Sequence, residues 1–442
     1  MKKTFFRKAV SVVCAATVSV SSFVGLSATV SAAGAVLGYW PEPLEIPNQF
    51  YYENETLQPY GSCFLIDELK NWSPDNDPDA RYNRGAIELR DRWMGPSVNP
   101  NASRDAKIMP LAMSNARASE APSQGGDGDF VYAFNNFQYV DIFNFWGGSS
   151  AEGPIAIPSP EVIDSAHRNG VPATGTIFIP WGDSAYGNQF VSEMLEKDAE
   201  GHYIAADKLI EIAQYYGFDG YIFNAESGTG VSGFKDFLAY LQRNKPDNFT
   251  ITWYNGSGGL SSGSIKSWMQ DGDTRITDEW WLDMSGGGNV DSTIQAAQEC
   301  GVDPWNIHST WEYWPMSGMP GTKGGNYQTR LDATGKLKCS LGILAPTCTL
   351  TQATSSDDYM NVQDQKLWVG PTFDPSSTYR PGSEFCGFAN LVADRTPVIG
   401  TDFVTTFTTG NGYKFYEDGV VTGKESGWYN RSLTDGLPTW RW

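Results

Sequence analysis

The feature that most constrains the fold of this 442-residue chain is a regular alternation of strand-like and helix-like segments that begins near residue 139. Apolar, β-branched runs of six to ten residues are each followed by a polar or amphipathic stretch. One of these stretches has apolar residues at 205, 209, 212, 213 and 216, which is the spacing of one helix face. Another begins with Ser159 and Pro160, a typical helix start.

Eight strands are predicted in this part of the chain. They lie at residues 139–145, 174–179, 218–224, 249–254, 275–282, 305–310, 339–346 and 398–407. Eight alternating strand–helix units over roughly 270 residues predict an α/β fold of the (β/α)8 TIM-barrel type, which is typically about 250 residues long. A doubly wound open sheet is the alternative. Its nucleotide-binding form is disfavoured because no Gly-rich phosphate loop opens any of the helices.

The first 125 residues differ in composition from the rest. Residues 1–33 have four bases, no acid, a short apolar stretch and a small-residue site at 30–33, which predicts a signal peptide and a secreted or extracellular protein of bacterial type. A membrane anchor is the alternative, but Ser and Ala dilute the apolar run below a span of about 20 residues. Residues 34–125 are rich in Pro, Asn, Asp and Gly and predict a loop-rich extension packed on the barrel, with the barrel itself at 126–442.

Charge and cysteine content exclude several functional classes. The formal net charge is −20, from 31 Lys and Arg against 51 Asp and Glu, and such a surface repels nucleic acid and anionic lipid. The chain has three His, and its Cys spacing matches no metal motif, so neither a metal site nor a cofactor is expected. The five Cys after residue 33 allow two disulfides at most, and buried free thiols are the favoured interpretation. No later segment is predicted to span a membrane.

Aromatic side chains recur where the predicted strands end. In a TIM barrel the C-terminal strand ends form the active-site face, and aromatic rings there can stack on the apolar faces of sugar rings. The set therefore predicts a sugar-binding cleft, although any single member could instead pack the rim. The substrate-binding candidates are Phe145, Trp181, Trp253, Asn255, Trp280, Trp281 and Trp311.

The most specific stretch is 217–226, Gly-Phe-Asp-Gly-Tyr-Ile-Phe-Asn-Ala-Glu. Side chains alternate along a strand, so Asn224 and Glu226 project to the same side. A carboxyl group in an aromatic setting stays protonated and can act as a general acid. Asn224 stands where a second carboxylate would be expected, and an amide is a poor nucleophile. The pair therefore indicates a substrate that supplies its own nucleophile, namely the 2-acetamido group of N-acetylglucosamine.

These residues carry a resemblance to a known family. The chain resembles glycoside hydrolase family 85, the endo-β-N-acetylglucosaminidases that cleave the chitobiose core of N-glycans. The matching segments are 141–145, 166–171 with 175–176, 217–226, 253–255, 370–371, 394–397 and 438–440. The resemblance implies that N-linked glycans of glycoproteins are the binding partners and that cleavage is retaining and substrate-assisted, with transfer of the glycan to sugar acceptors as a side reaction.

The resemblance also assigns roles to individual residues. It implies that Glu226 is the general acid/base, that Asn224 holds the substrate acetamide, and that Tyr254 is the tyrosine of the site. Trp281 and Trp311 match positions of substrate-contacting aromatics. Two alternatives stay open at this point: a secreted glycan-binding protein on an inactive barrel, and a chitinase similar to family 18. The chitinase is disfavoured because that family has Asp where this chain has Ile222 and Asn224.

Overall fold

A closed barrel of eight parallel strands forms the centre of the structure, a computed structural model that describes residues 49–51, 57–59, 63–77, 80–114, 125–147, 154–179, 184–283, 289–312, 327–380, 385–400, 408–422 and 427–435. The strands are β1 (Ile108–Ala112), β2 (Phe143–Phe145), β3 (Ala173–Phe178), β4 (Gly220–Asn224), β5 (Thr250–Tyr254), β6 (Glu279–Trp281), β7 (Ile307–Glu312) and β8 (Ser340–Leu344). Strands β8 and β1 pair in parallel register and close the barrel. The predicted TIM-barrel fold is therefore confirmed.

The position of the first strand differs from the prediction. Strand β1 lies inside the segment expected to be a loop-rich extension, so the run at 139–145 forms the second strand and the run at 339–346 forms the eighth. Pro110 stands in the middle of β1, and a proline within a run normally argues against a central strand because it has no N–H to donate. The strand predicted at 398–407 takes no part in barrel closure, and its residues 401–407 lie outside the described part of the chain.

Helices cover the outside of the barrel. They are α1 (Ile66–Asn71), α2 (Pro160–Arg168), α3 (Ser184–Met194), α4 (Ile204–Tyr216), α5 (Phe234–Asn244), α6 (Ser262–Trp268), α7 (Val290–Glu299), α8 (Cys348–Gln352), α9 (Ser356–Asp358) and α10 (Asp364–Trp368), with a π-helical turn at Tyr359–Gln363 between the last two. The helix α2 begins after Ser159 with Pro160 in its first turn, as predicted. The helix α4 ends at Gly217, whose φ of 83° is the left-handed conformation that glycine adopts without strain.

Shorter strands lie outside the barrel. Cys63–Phe64 and Ile155–Ala156 extend the sheet beside β3, and Gly126–Asp127, Asn411–Gly412 and Trp428–Tyr429 form a three-stranded sheet. Three antiparallel pairs complete the set: Gln49–Tyr51 with Leu57–Pro59, Gln270–Asp271 with Thr274–Arg275, and Phe415–Glu417 with Val420–Thr422. The five described cysteines are free thiols, and four of them are buried. Within the described ranges, no helix has the length and apolar character needed to cross a membrane.

A charged cluster fills the base of the barrel. Glu279 of β6 accepts hydrogen bonds from His308 of β7 at 2.9 Å and from Lys107, just before β1, at 2.5 Å. Burial alone would raise the pKa of Glu279, but His308 and Lys107 outweigh it and the pKa is lowered. Paired charges therefore occupy the N-terminal end of the barrel. The open face is the opposite end, where the strands have their C-termini.

The C-terminal segment is joined to the barrel by buried ion pairs. Arg431 contacts Glu161 of α2 at 2.8 Å and donates to the main-chain carbonyl of Ser114, also at 2.8 Å. Arg395 and Arg92 both pair with Asp141, just before β2. Residues far beyond the last barrel strand thus complete the packing around the first two strands.

Candidate active site

The C-terminal strand ends converge on a pocket of about 330 Å³ that is open to solvent. Strands β1, β4, β5, β6 and β8 all contribute to it, together with the segment after β2. The lining residues are Leu111, Trp146, Asn224, Glu226, Tyr254, Trp281 and Leu344.

Asn224 is the last residue of β4 and is completely buried, with 0% of its surface exposed. Neither Oδ1 nor Nδ2 of its side chain makes a hydrogen bond of regular geometry among the described residues, although the amide lies close enough to the carboxyl group of Glu226 to favour its charged form. A buried amide without partners costs about 1–3 kcal/mol, so such groups are rare in folded proteins unless a ligand satisfies them. Because this amide lines the pocket, it is positioned to bind a ligand that carries both a donor and an acceptor.

Glu226 lies two residues beyond Asn224 and faces the same pocket, as the alternation along β4 predicts. Its side chain is exposed at the pocket mouth, yet the surrounding barrel walls exclude much of the water. This burial raises the pKa of Glu226, the charge of Asp283 raises it further, and the facing Asn224 amide opposes the shift without cancelling it. The carboxyl group therefore holds its proton to higher pH than an ordinary glutamate and remains accessible to a substrate.

Tyr254 ends β5 beside this pair. Its hydroxyl donates a hydrogen bond to Oδ2 of Asp283 at 3.2 Å, and its ring meets Trp281 edge-on with centroids 5.7 Å apart. Burial raises the pKa of Tyr254 well above its usual value, and the charges of Glu226 and Asp283 act in the same direction. The hydroxyl thus stays protonated and can act only as a hydrogen-bond donor or acceptor.

Trp281 forms the inner wall of the pocket rather than an exposed platform. Only 2% of its surface is accessible, and its indole N–H donates to the main-chain carbonyl of Met109 at 3.3 Å. Trp146, two residues after the inward-facing Asn144, lines the opposite side and packs edge-on against Phe178. Both indoles present apolar surface to the pocket, which suits contact with a sugar ring.

Three of the predicted substrate-binding aromatics do not face the pocket. Trp253 is fully buried on the outside of β5, where it stacks on Trp268 of α6 with centroids 4.5 Å apart. Trp280 and Phe145 are also completely buried and line no part of the pocket. Each stands next to a pocket residue in the sequence, and adjacent side chains of a strand point to opposite faces. The structure therefore places these three side chains away from the pocket.

The remaining predicted residues are less directly involved. Asn255 is half-buried after β5, where its Oδ1 accepts from the N–H of Ser257 at 3.3 Å, so it shapes the turn and is not one of the lining residues. Trp311 lies within β7, and its side chain is outside the described part of the structure. Trp181 also lies outside the described residues.

The predicted site residues did not include three that line the pocket, Leu111, Leu344 and Trp146, or Asp283, which contacts the lining Tyr254. Leu111 belongs to the strand that was overlooked. Trp146 and Asp283 could have been found by continuing the strand alternation past the last strand residue, because Asn144–Trp146 and Trp281–Asp283 are both pairs with a spacing of two. In the described ranges, no group of three or more His, Cys, Asp or Glu side chains could hold a metal ion.

The structure is a closed (β/α)8 barrel. Its C-terminal face has a carboxyl group with a raised pKa, a buried amide and indole walls, and this combination is characteristic of a glycoside hydrolase. The chain belongs to glycosyl hydrolase family 85, whose sequence model matches residues 114–415. The predicted family and the predicted enzyme class are therefore confirmed. The match also decides against the alternative of a chitinase similar to family 18.

Individual relatives agree with this assignment. The glycoside hydrolase domain of Endo-D from Streptococcus pneumoniae R6 superposes with a TM-score of 0.76 and 33% identity, over 88% of this chain and 62% of that one. The cytosolic endo-beta-N-acetylglucosaminidase of Danio rerio is 29% identical over 48% of this chain and 29% of its own length. The human enzyme of the same name is 25% identical over 52% of this chain and 30% of its own length. This chain thus spans less than a third of these two curated relatives.

The prediction of a secreted protein with a signal peptide is wrong by this comparison, because the curated relatives are named cytosolic enzymes. The prediction rested on residues 1–33, which lie outside the described residues. A few bases followed by a short run rich in Ser, Ala and Val form a compositional pattern without a specific side-chain arrangement, so the pattern does not define a compartment.

Proposed function

We propose that this chain is an endo-β-N-acetylglucosaminidase that hydrolyses the GlcNAc-β1,4-GlcNAc bond in the chitobiose core of N-linked glycans. The observation that carries the proposal is the buried, unpartnered amide of Asn224 beside the raised-pKa carboxyl of Glu226. An acetamide group offers one N–H and one carbonyl oxygen, which match the acceptor and donor that Asn224 leaves unused.

The first step of the proposed reaction breaks the glycosidic bond. Glu226 donates its proton to the bridging oxygen while the acetamide oxygen of the substrate attacks the anomeric carbon from the opposite face. Asn224 accepts a hydrogen bond from the acetamide N–H as positive charge develops there. The products are the departing GlcNAc on the protein side and a bound oxazolinium, whose N–H proton stays in place and remains hydrogen-bonded to Asn224.

In the second step the roles of Glu226 reverse. The carboxylate takes a proton from water, the water oxygen attacks the anomeric carbon, and the oxazolinium ring opens to restore the acetamide with its N–H proton. Two inversions give net retention of the β configuration. Transglycosylation follows the same path when a sugar hydroxyl replaces water.

The test is release of the glycan from a denatured N-glycoprotein, followed by gel shift and mass spectrometry. The expected result is a protein that keeps a single N-acetylglucosamine on each occupied asparagine, together with a free glycan that ends in the other. Proton NMR of the fresh product should show the β anomer first. An initial α anomer would contradict the assisted mechanism, and binding without any release would favour a glycan-binding protein instead.

A further inference from the structure

Asp283 is a second carboxylate beside the pocket; it is not one of the lining residues but contacts the lining residue Tyr254. It lies two residues beyond Trp281, so it leaves β6 on the same side as the pocket wall. Its Oδ2 accepts the hydrogen bond from the Tyr254 hydroxyl at 3.2 Å, and its main-chain N–H donates to the carbonyl of Ser257 at 2.9 Å. The main chain of Asp283 is thus fixed to the segment after β5, and its carboxylate is bound to the hydroxyl at the end of β5.

Among the described residues, two titratable groups act on Glu226. In the described part of the chain, the titratable groups that face it are Tyr254 from β5 and Asp283 from the segment after β6. Tyr254 is uncharged, so Asp283 provides the one negative charge that acts on Glu226 there. Like charges disfavour simultaneous ionisation, and Asp283 therefore favours the protonated form of Glu226.

We propose that Asp283 is a positioning residue of this site, which fixes the hydroxyl of Tyr254 at the pocket and, by its charge, keeps Glu226 in the acid form needed for the first step. This inference rests on the proposed function. Asp283 does not contact the reacting atoms. It acts on Tyr254 through the hydrogen bond and on Glu226 through electrostatic repulsion.

The same charge also serves the second step. Once Glu226 has given its proton to the leaving group, its carboxylate is repelled by the charge of Asp283. This repulsion makes Glu226 a stronger base toward water, because protonation of Glu226 removes the repulsion. A group that must donate and then accept a proton works best when its pKa lies near the working pH, and Asp283 moves Glu226 in that direction.

The test compares Asp283→Asn with wild type in a pH profile of kcat/KM. Asparagine keeps an acceptor for Tyr254 but removes the charge. We expect the alkaline limb of the profile to move to lower pH by on the order of one unit. Asp283→Glu keeps the charge and should leave the limb near its original position, and Tyr254→Phe should lower the rate without moving the limb. A structural role for Asp283 predicts a lower rate at every pH with the limb unmoved, and this result would overturn the proposal.

A second measurement does not depend on catalysis. Carbon NMR of protein labelled at the glutamate carboxyl carbon follows the titration of Glu226 directly, with Glu226→Gln to assign the signal. The pKa should fall in Asp283→Asn and stay unchanged in the surface control Asp291→Asn, whose partner is Lys338. An equal pKa in wild type and Asp283→Asn overturns the inference even if glycan release is observed. Failure of wild type to release glycan overturns the proposed function alone, because the titration still decides the role of Asp283.

Discussion

Trp281 of β6 donates its indole N–H to the carbonyl of Met109 in β1, so one side chain links opposite walls of the barrel. Gly342 of β8 makes this possible, because a Cβ atom there would collide with the indole nitrogen and lie 2.6 Å from Cγ2 of Thr310. The inner wall of the pocket therefore depends on a residue that does not itself line the pocket.

Gly342→Ala is expected to displace Trp281 and to destabilise the fold by about 1–3 kcal/mol, the usual cost of overpacking a core. Glycan release should fall as well, because the wall beside Tyr254 moves. Urea unfolding and the release assay measure the two effects. Gly230→Ala is the matched control, since a Cβ atom there meets nothing within 4 Å. Equal stability of the two variants would show that the barrel interior adapts around the indole.

Glu226→Gln should lower glycan release by about 10²- to 10⁴-fold, the usual contribution of general acid–base catalysis. The amide keeps the size of the side chain but has no proton to give to the leaving oxygen. Circular dichroism should match wild type. Glu200→Gln, at an exposed loop position, should keep full activity. Activity of Glu226→Gln within a few-fold of wild type would remove Glu226 from the mechanism.

The pH dependence of wild type follows from the raised pKa of Glu226. The first step needs the protonated form, so kcat/KM should be maintained below that pKa and fall as the pH rises through it. The alkaline limb should therefore lie above the ordinary glutamate value of about 4.3. Initial rates of glycan release across buffers of constant ionic strength measure it. A limb at the ordinary value would mean that the pocket does not perturb the acid.

Asn224→Ala should separate the two steps of the reaction. Orientation of the acetamide is required to form the oxazoline but not to open it, so hydrolysis of the intact glycan should fall by about 10²-fold or more. Turnover of a preformed sugar oxazoline needs Glu226 as base and should be largely retained. Both rates are measured on one purified variant. If they fall together, Asn224 has a structural role at the end of β4 instead.

Arg431→Met should destabilise the protein by about 3–5 kcal/mol, because it leaves Glu161 buried without its ion-pair partner. Urea unfolding measures the change. Lys338→Met removes a cation from a pair with the exposed Asp291 and should cost about 1 kcal/mol or less. The double variant Glu161→Gln with Arg431→Met should recover part of the loss. A single variant as stable as the surface control would show that the C-terminal segment is not needed for the packing of α2.

The barrel was largely predictable because seven of its strands, β2 to β8, coincide with predicted runs, and their alternation with helices is a strong local signal. Strand β1 was not predicted because its apolar run is short, contains Pro110 and lies in a loop-rich part of the sequence. What identifies it is pairing with β8, a contact between residues more than 200 positions apart.

The site was only partly predictable. Asn224 and Glu226 were predicted to share a face because Glu226 follows the last residue of β4 by two positions, and the alternation of the strand continues that far. The aromatic set was less reliable: Trp253 and Trp280 immediately precede Tyr254 and Trp281, so a strand-end position alone does not say which side chain points inward. Asp283 follows its strand and reaches the site through a hydrogen bond to a different strand, a relationship that no local pattern contains.

The buried amide of Asn224 lowers the stability of the protein without substrate, but the same amide is required for the proposed activity. An apolar side chain of similar size would remove a desolvation cost of about 1–3 kcal/mol and so raise the stability of the empty barrel while abolishing acetamide recognition. A search for more heat-resistant variants of this chain would therefore need to exclude position 224 from the outset.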